Sequence, residues 1–214
     1  METVNSAHND LRAIAKCHRA AFPESLSSKL GLHYCMKMLS FYLDNDRGVL
    51  FHLEDGGEIP GYCGGLRNKV PGRHGSATSM TQHTFRSLVF NLMIRPWLIF
   101  HPEIRANVPL IIKNIRLRFS GRKSKRNPTP PAQNKEFIPS MGLVVIGVLP
   151  EYQGKGYGSL LLREFEARAR KEGFRKIHLS VHKDNHQAIK AYERNGWVVD
   201  RVGIHEQSMY KMLE

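Results

Sequence analysis

Cysteine is scarce in this chain. Cys17, Cys35 and Cys63 are the only three, and no two have a paired spacing. An odd, scattered set argues against a disulfide framework and against a zinc site, and fits a reducing cytosol. Long apolar runs are missing too: none approaches the ~20 residues needed to span a bilayer. The opening Met1-Glu2-Thr3-Val4-Asn5 has no basic start and no apolar stretch, so no secretory signal is expected. There is no internal repeat. Acidic residues are nearly absent from the middle of the chain. Between 67 and 135 only Glu103 stands against fourteen Lys and Arg, a net charge of +13. Outside that stretch eighteen basic and eighteen acidic residues cancel. The 214 residues suffice for one domain with a sizeable core.

The most informative stretch lies towards the C-terminal end. Leu143-Val144-Val145-Ile146-Gly147-Val148 is a near-continuous apolar run and reads as a buried strand, ended by Pro150. Gln153-Gly154-Lys155-Gly156-Tyr157-Gly158 follows. Then Leu160, Leu161, Phe165 and Ala169 recur at helical spacing among Arg163, Glu164, Glu166 and Arg168. A strand, a glycine-rich turn and a helix N-terminus make an anion cradle, because glycine admits close backbone approach and the first helical turn offers unpaired N–H groups. A pyrophosphate is the natural guest. Two familiar phosphate motifs are excluded. The glycines run G-x-G-x-G rather than G-x-G-x-x-G, and no G-K-[ST] closes a Walker pattern.

A second motif runs from Asn185 to Trp197. Lys176-Ile177-His178-Leu179-Ser180-Val181 alternates before it as a half-buried strand. Asp184 or Asn185 can cap the helix that follows, Ala188, Ile189 and Tyr192 share one face, and Asn195-Gly196 ends it. Taken together, Val148-x-Pro150-x-x-Gln153-x-x-Gly156-x-Gly158 and Asn185-x-x-Ala188-x-x-x-Tyr192-x-x-x-Gly196-Trp197 resemble the two signature blocks of the GNAT superfamily of acetyl-CoA-dependent N-acetyltransferases.

That resemblance implies an α+β fold, a mixed central sheet flanked by helices. It implies acetyl-CoA as co-substrate, no metal, and a small-molecule primary amine as acceptor. Ile146, Gly147, Val148, Gln153, Gly154, Lys155, Gly156, Tyr157, Gly158 and Ser159 would bind the cofactor, Asn185 its pantetheine arm, and Tyr192 would touch the thioester sulfur and act as general acid. The plainer alternative makes Asn185 a cap and Tyr192 a core residue. The family often places its base as Glu or His on the strand before the glycine turn. The matching positions here, Gly142 and Val144, cannot take a proton, which leaves Glu136, His52, Glu54, His178 and His205 as loose candidates, or water. Without a base, the other reading is a GNAT-shaped acyl-CoA-binding or membrane-docking protein with weak or no catalysis.

The N-terminal part fits the same fold by order of elements. A strand is expected near 2–6, a helix with Leu11, Ile14, Ala15 and His18 on one face, a second helix over 26–43, and a hairpin of 48–54 with 58–66 around Asp55-Gly56-Gly57. The stretch from Ala21 to Gly31 also looks like a bacterial subgroup associated with surface-polysaccharide genes, which would suit an anionic acceptor such as an amino-sugar nucleotide. The whole is read as one domain, with a core of 1–66 and 137–214.

The basic insertion 67–135 departs from a compact family member. Phe85, Leu88, Val89, Leu92 and Met93 follow helical spacing up to Pro96, and Ile104, Val108, Ile111, Ile112, Ile115 and Phe119 do so again. Gly121 to Asn134 is rich in basic residues, Pro and Asn, and a mobile stretch is expected there. Three roles stay open. The helices pack on the core or a second subunit, or they form a funnel for an anionic acceptor. Alternatively, residues 85–126 dock on anionic lipid, placing a cytoplasmic protein at the inner membrane surface. Nucleic acid is not expected, since no aromatic-basic recognition motif occurs. The oligomeric state is open.

Overall fold

A computed structural model describes residues 2–70, 76–105 and 137–213. Its centre is one seven-stranded sheet in the order β1-β2-β3-β4-β5-β7-β6. The strands are β1 (Glu2–Asn5), β2 (Gly48–Asp55), β3 (Glu58–Asn68), β4 (Ser140–Val148), β5 (Lys176–His182), β6 (Val198–Val202) and β7 (Glu206–Met212). All neighbours run antiparallel except β4 and β5, which are parallel. The expected mixed sheet flanked by helices is what forms. The β2–β3 hairpin turns on Gly56 and Gly57, both in the left-handed region that a tight hairpin needs.

Helices cover both faces. On one side α1 (Leu11–Ala21) and α3 (Leu32–Leu43) bury Leu11, Ile14, Leu39 and Phe41 against Leu50, Tyr62 and Leu66 of the sheet. On the other, α5 (Tyr157–Lys171) and α6 (His186–Arg194) bury Leu161, Phe165 and Tyr192 against Phe51, Met141, Leu143 and Ile177. The helix expected over 26–43 is in fact two, because Gly31 takes φ +100° and separates α2 (Leu26–Leu30) from α3. Ser25 caps α2 by accepting from the Ser28 N–H at 3.3 Å.

The strand β3 continues through Asn68, and Arg67 pairs with Glu172 at 2.5 and 2.7 Å, tying β3 to the end of α5. The Arg67 guanidinium holds the Glu172 carboxyl below its ordinary range. Beyond Asn68, α4 (Ser76–Ile94) and a 3-10 turn at Pro96–Phe100 lie against α2 and α3. Leu88 and Leu98 pack with Leu30 and Tyr34, and the Tyr34 hydroxyl donates to Thr84 Oγ1 at 3.3 Å. The inward face is therefore Thr84–Leu88–Leu92, and Val89 and Met93, expected on it, face outward because they stand one position further round the helix. Glu103, the single acid of this stretch, accepts from the Leu26 N–H at 2.9 Å, and His101 meets the Glu24 carbonyl at 3.2 Å. Residues 106–136 lie outside the described structure. With them go the second expected helix beyond Arg105, the basic stretch 121–134 and Glu136.

Lys211 on β7 clamps the C-terminal half. Its ammonium donates to both Glu166 oxygens of α5 at 2.8 and 2.9 Å and to the Asn195 carbonyl at 2.8 Å. Glu166 is almost fully buried, so Glu166→Ala leaves a cation without its counter-charge. It is expected to cost about 2 kcal/mol, discounted for the partial exposure of Lys211. In a thermal melt of a protein this size that is a fall of roughly 4–8 °C. An unchanged melting temperature would show that the clamp contributes nothing.

Candidate active site

A wedge opens in the middle of the sheet. The strands β4 and β5 pair only over Ser140–Gly142 and Lys176–His178, and both then run on without pairing with each other. The backbone of β4 from Leu143 to Val148 thus has β3 on one side and no strand on the other. Buried main-chain groups require partners, so such an edge is ready to hydrogen-bond an extended ligand. A β-bulge at Gly64/Gly65 lets Val144 drop out of the β3 register and leaves it 41% exposed.

The far end of β4 leads into the glycine turn. Pro150 opens a short 3-10 turn, and Gln153 anchors it by donating Nε2–H to the Val148 carbonyl at 3.0 Å. Gly154 and Gly156 have φ +74° and +89°, and Gly156 is the N-cap of α5. A Cβ on Gly154, Gly156 or Gly158 would meet nothing within 4 Å, so the space above all three is open. Among the described residues the amides of Gly154 through Ser159 have no hydrogen-bond partner. They form a cluster of exposed donors at the positive end of a 15-residue helix, the arrangement that suits a phosphate. Lys155 lies over the Tyr152 ring, and Tyr157 packs edge-on against Tyr152. Tyr152 in turn donates to Glu58 at 2.6 Å, which pushes its phenol up to about 12.

The second motif closes the wedge from the β5 side. Asn185 caps α6, its Oδ1 accepting from the Ala188 N–H at 3.1 Å. That occupies its oxygen and leaves its amide hydrogens to donate. Tyr192 is buried beside Trp197, with ring centroids 5.9 Å apart. Desolvation, and then nearby Cys63, push its phenol up to about 12, so it stays protonated throughout the neutral range. The sequence reading missed Asn195, whose Nδ2 donates to Ser159 Oγ at 3.1 Å and to the Ala191 carbonyl at 2.8 Å. It links the end of α6 to the first turn of α5. Its place beside Gly196 signals only a helix end, and nothing local points to Ser159.

A second unforeseen group backs the strand. A Cβ on Gly147 would stand 2.6 Å from the Tyr62 ring and 3.1 Å from the Phe22 ring, so these aromatics press on β4 from the α1 side. Tyr62 hydrogen-bonds His18 Nδ1, and His18 Nε2 meets Ser27 Oγ at 2.8 Å. Burial pulls His18 down to about 4, so it is neutral and fixes the ring of Tyr62.

The candidate bases separate in space. His52 is buried on β2, two strands from the wedge, and bonded to Ser6 at 2.9 Å. Glu54 also lies on β2, at its exposed end opposite Glu2. His205 sits in the β6–β7 turn. His178 stands at the last rung where β4 and β5 pair, opposite Gly142. Among the described residues no three His, Cys, Asp or Glu side chains come together as a metal site.

A strand that parts from its parallel neighbour above a helix-capping glycine turn defines the acyl-CoA N-acyltransferase class of fold. Comparison with known proteins agrees. Residues 136–197 match the family model of the acetyltransferase (GNAT) family. The chain resembles the PaiA N-acetyltransferase of Thermoplasma acidophilum in complex with coenzyme A, at 13% identity and a TM-score of 0.56, covering 99% of this chain and 98% of the other. It resembles the ribosomal-protein-S18-alanine N-acetyltransferase of Escherichia coli at 16% identity and a TM-score of 0.55, over 99% and 93%. An aminoglycoside 6′-acetyltransferase type Ii is similar at 12% identity and a TM-score of 0.59, over 100% and 98%. No curated protein matches the chain in sequence. Residues 136–197 are thus similar to the GNAT acetyltransferase family, and the likeness of the whole chain to these structures is one of fold.

Proposed function

We propose that this chain moves an acetyl group from acetyl-CoA to a primary amine by direct attack on the thioester. The observation that carries the proposal is the continuous path from the free amides of Gly154–Ser159 to the unpaired edge of β4. The turn seats the diphosphate, with Ser159 adding a hydroxyl and Lys155 a positive charge. The β4 edge from Ile146 to Val148 hydrogen-bonds the extended pantetheine, helped by the amide hydrogens of Asn185. A main-chain N–H of β4 polarises the thioester carbonyl. Tyr192, held neutral by burial, gives its proton to the departing sulfur. Holding both reactants in line supplies much of the acceleration. The test is release of free thiol from acetyl-CoA across a panel of primary amines, sugar amines and anionic amines included. Coenzyme binding with no product from any amine would support the binding-protein reading instead.

The acceptor is read as anionic from charge, since the segment 67–135 carries a net +13 beside a near-neutral core. Its residues His101 and Glu103 border the Glu24–Leu26 corner, next to the Phe22 ring that presses on β4.

A second reading of the same segment has its own observation. Phe90, Met93, Ile94, Trp97, Ile99 and Phe100 are all more than half exposed, in a segment that also carries Arg86, Arg95 and Arg105. No helix of the described residues is long and apolar enough to cross a membrane, but exposed apolar side chains in a basic segment suit the interface of an anionic bilayer. Trp97→Ser with Phe100→Ser is expected to lower co-sedimentation with phosphatidylglycerol-containing vesicles by tenfold or more. Equal sedimentation of both proteins would end this reading.

A further inference from the structure

The geometry points to His178 as the group that takes the proton from the attacking amine. This rests on the acetyl-transfer reading above and adds the residue which that reading lacks.

The argument begins with the wedge. Gly142 and His178 are Cα partners in the last rung of β4–β5 pairing, so His178 stands at the apex from which the strands diverge. The glycine turn lies at the other end of β4, six residues beyond Gly142 and more. At ~3.3 Å per residue that is roughly 20 Å or more. A coenzyme thioester seated by its diphosphate at the turn and stretched along β4 brings its reactive end towards this apex.

The side-chain direction follows from the strand alternation. Ile177, Leu179 and Val181 point into the α5–α6 core, so Lys176, His178, Ser180 and His182 share the opposite face. That face is only partly covered. His178 is half-buried, and Ser180 and His182 are exposed. The imidazole therefore borders both the apex and open solvent, as a group must that meets an incoming amine.

Gly142 explains why the ring lies where it does. A Cβ at that position would stand 2.9 Å from His178 Nε2 and 3.2 Å from Cε1, with Asn68 Nδ2 at 3.7 Å. Gly142 has no positive φ, so backbone conformation does not require a glycine here. The missing side chain makes room for the ring. The imidazole of the neighbouring strand fills the place that a side chain of β4 would have taken. None of His52, Glu54 and His205 has that relation to the wedge. Ionisable groups on this face include Lys176, whose ammonium lies 4.6 Å from the Tyr210 ring, Tyr210 itself, opposite His178 on β7, and His182 further along β5, opposite Glu206. Asn68 is the neutral neighbour from β3.

The step balances. The neutral amine nitrogen bonds to the thioester carbonyl carbon, and the carbon–sulfur bond breaks with its electron pair going to sulfur. Tyr192 gives its proton to that sulfur, and the ammonium proton of the new bond passes to His178. The imidazolium then returns one proton to the tyrosinate through solvent, leaving amide, thiol and the starting enzyme.

The experiment uses the full chain and the most rapidly acetylated amine of the panel. His178→Gln is expected to lower kcat by about a hundredfold or more and to remove the fall in kcat on the acid side of the pH profile. The calorimetric affinity for coenzyme A should be unchanged. Gly142→Ala keeps the histidine but displaces its ring, and is expected to lower kcat about tenfold with unchanged coenzyme affinity. Wild-type kcat and an unaltered pH profile in His178→Gln would overturn the inference and leave the acetyl-transfer reading standing. Should the wild-type protein bind coenzyme A yet acetylate no amine, both fall. A His178→Gln chain that does not fold leaves Gly142→Ala to decide, and wild-type kcat there would also overturn the inference.

Discussion

Gly156→Val is expected to raise the KM for acetyl-CoA by about a hundredfold or more. Two effects add. Gly156 caps α5 at φ +89°, and a β-branched residue in the left-handed region costs roughly 1–2 kcal/mol. The larger effect is steric. The open space above Gly156 is where the diphosphate would sit, and a valine side chain fills it. A control separates the two. Gly173 has φ +78° and also nothing within 4 Å of a Cβ, but it stands beyond the other end of α5. Gly173→Val should lower the melting temperature by a similar amount and leave KM alone. A coenzyme KM equal to wild type in Gly156→Val would mean that the turn is not the diphosphate seat.

Tyr192→Phe is expected to lower kcat by about 10²–10³ while the KM for acetyl-CoA changes little. The phenyl ring keeps its packing on Trp197, so a loss of turnover cannot be assigned to unfolding. Because the phenol is pushed up to about 12, the acid form persists across neutral and moderately alkaline pH. The wild-type kcat should therefore show no fall from this group until the pH nears that value. If Tyr192→Phe turns over like the parent, sulfur takes its proton from elsewhere and Tyr192 is a core residue only.

The parts of the site that lie within a few residues of one another were legible in the sequence. The strand, proline and glycine turn from Leu143 to Gly158 are local signals, and so is the helix that Asn185 caps. The β2–β3 hairpin could be read from Asp55-Gly56-Gly57 for the same reason. What escaped depends on contacts between distant residues. The approach of His178 to Gly142 requires the register of two strands separated by a whole helix. The Tyr62–His18–Ser27 chain joins β3, α1 and α2. Asn195 looks like a helix stop and turns out to hold Ser159. The inward face of α4 was misjudged by one position, because Phe85, Val89 and Met93 are as apolar as Leu88 and Leu92. Only docking on Leu30 and Tyr34 decides between them. The break at Gly31 was overlooked because the apolar pattern continues across it.

Titration calorimetry of the intact, folded chain with coenzyme A bears most directly on the account. Saturable one-to-one heat, abolished by Gly156→Val and preserved in Gly173→Val and Tyr192→Phe, is the predicted result. No heat up to millimolar coenzyme would contradict it.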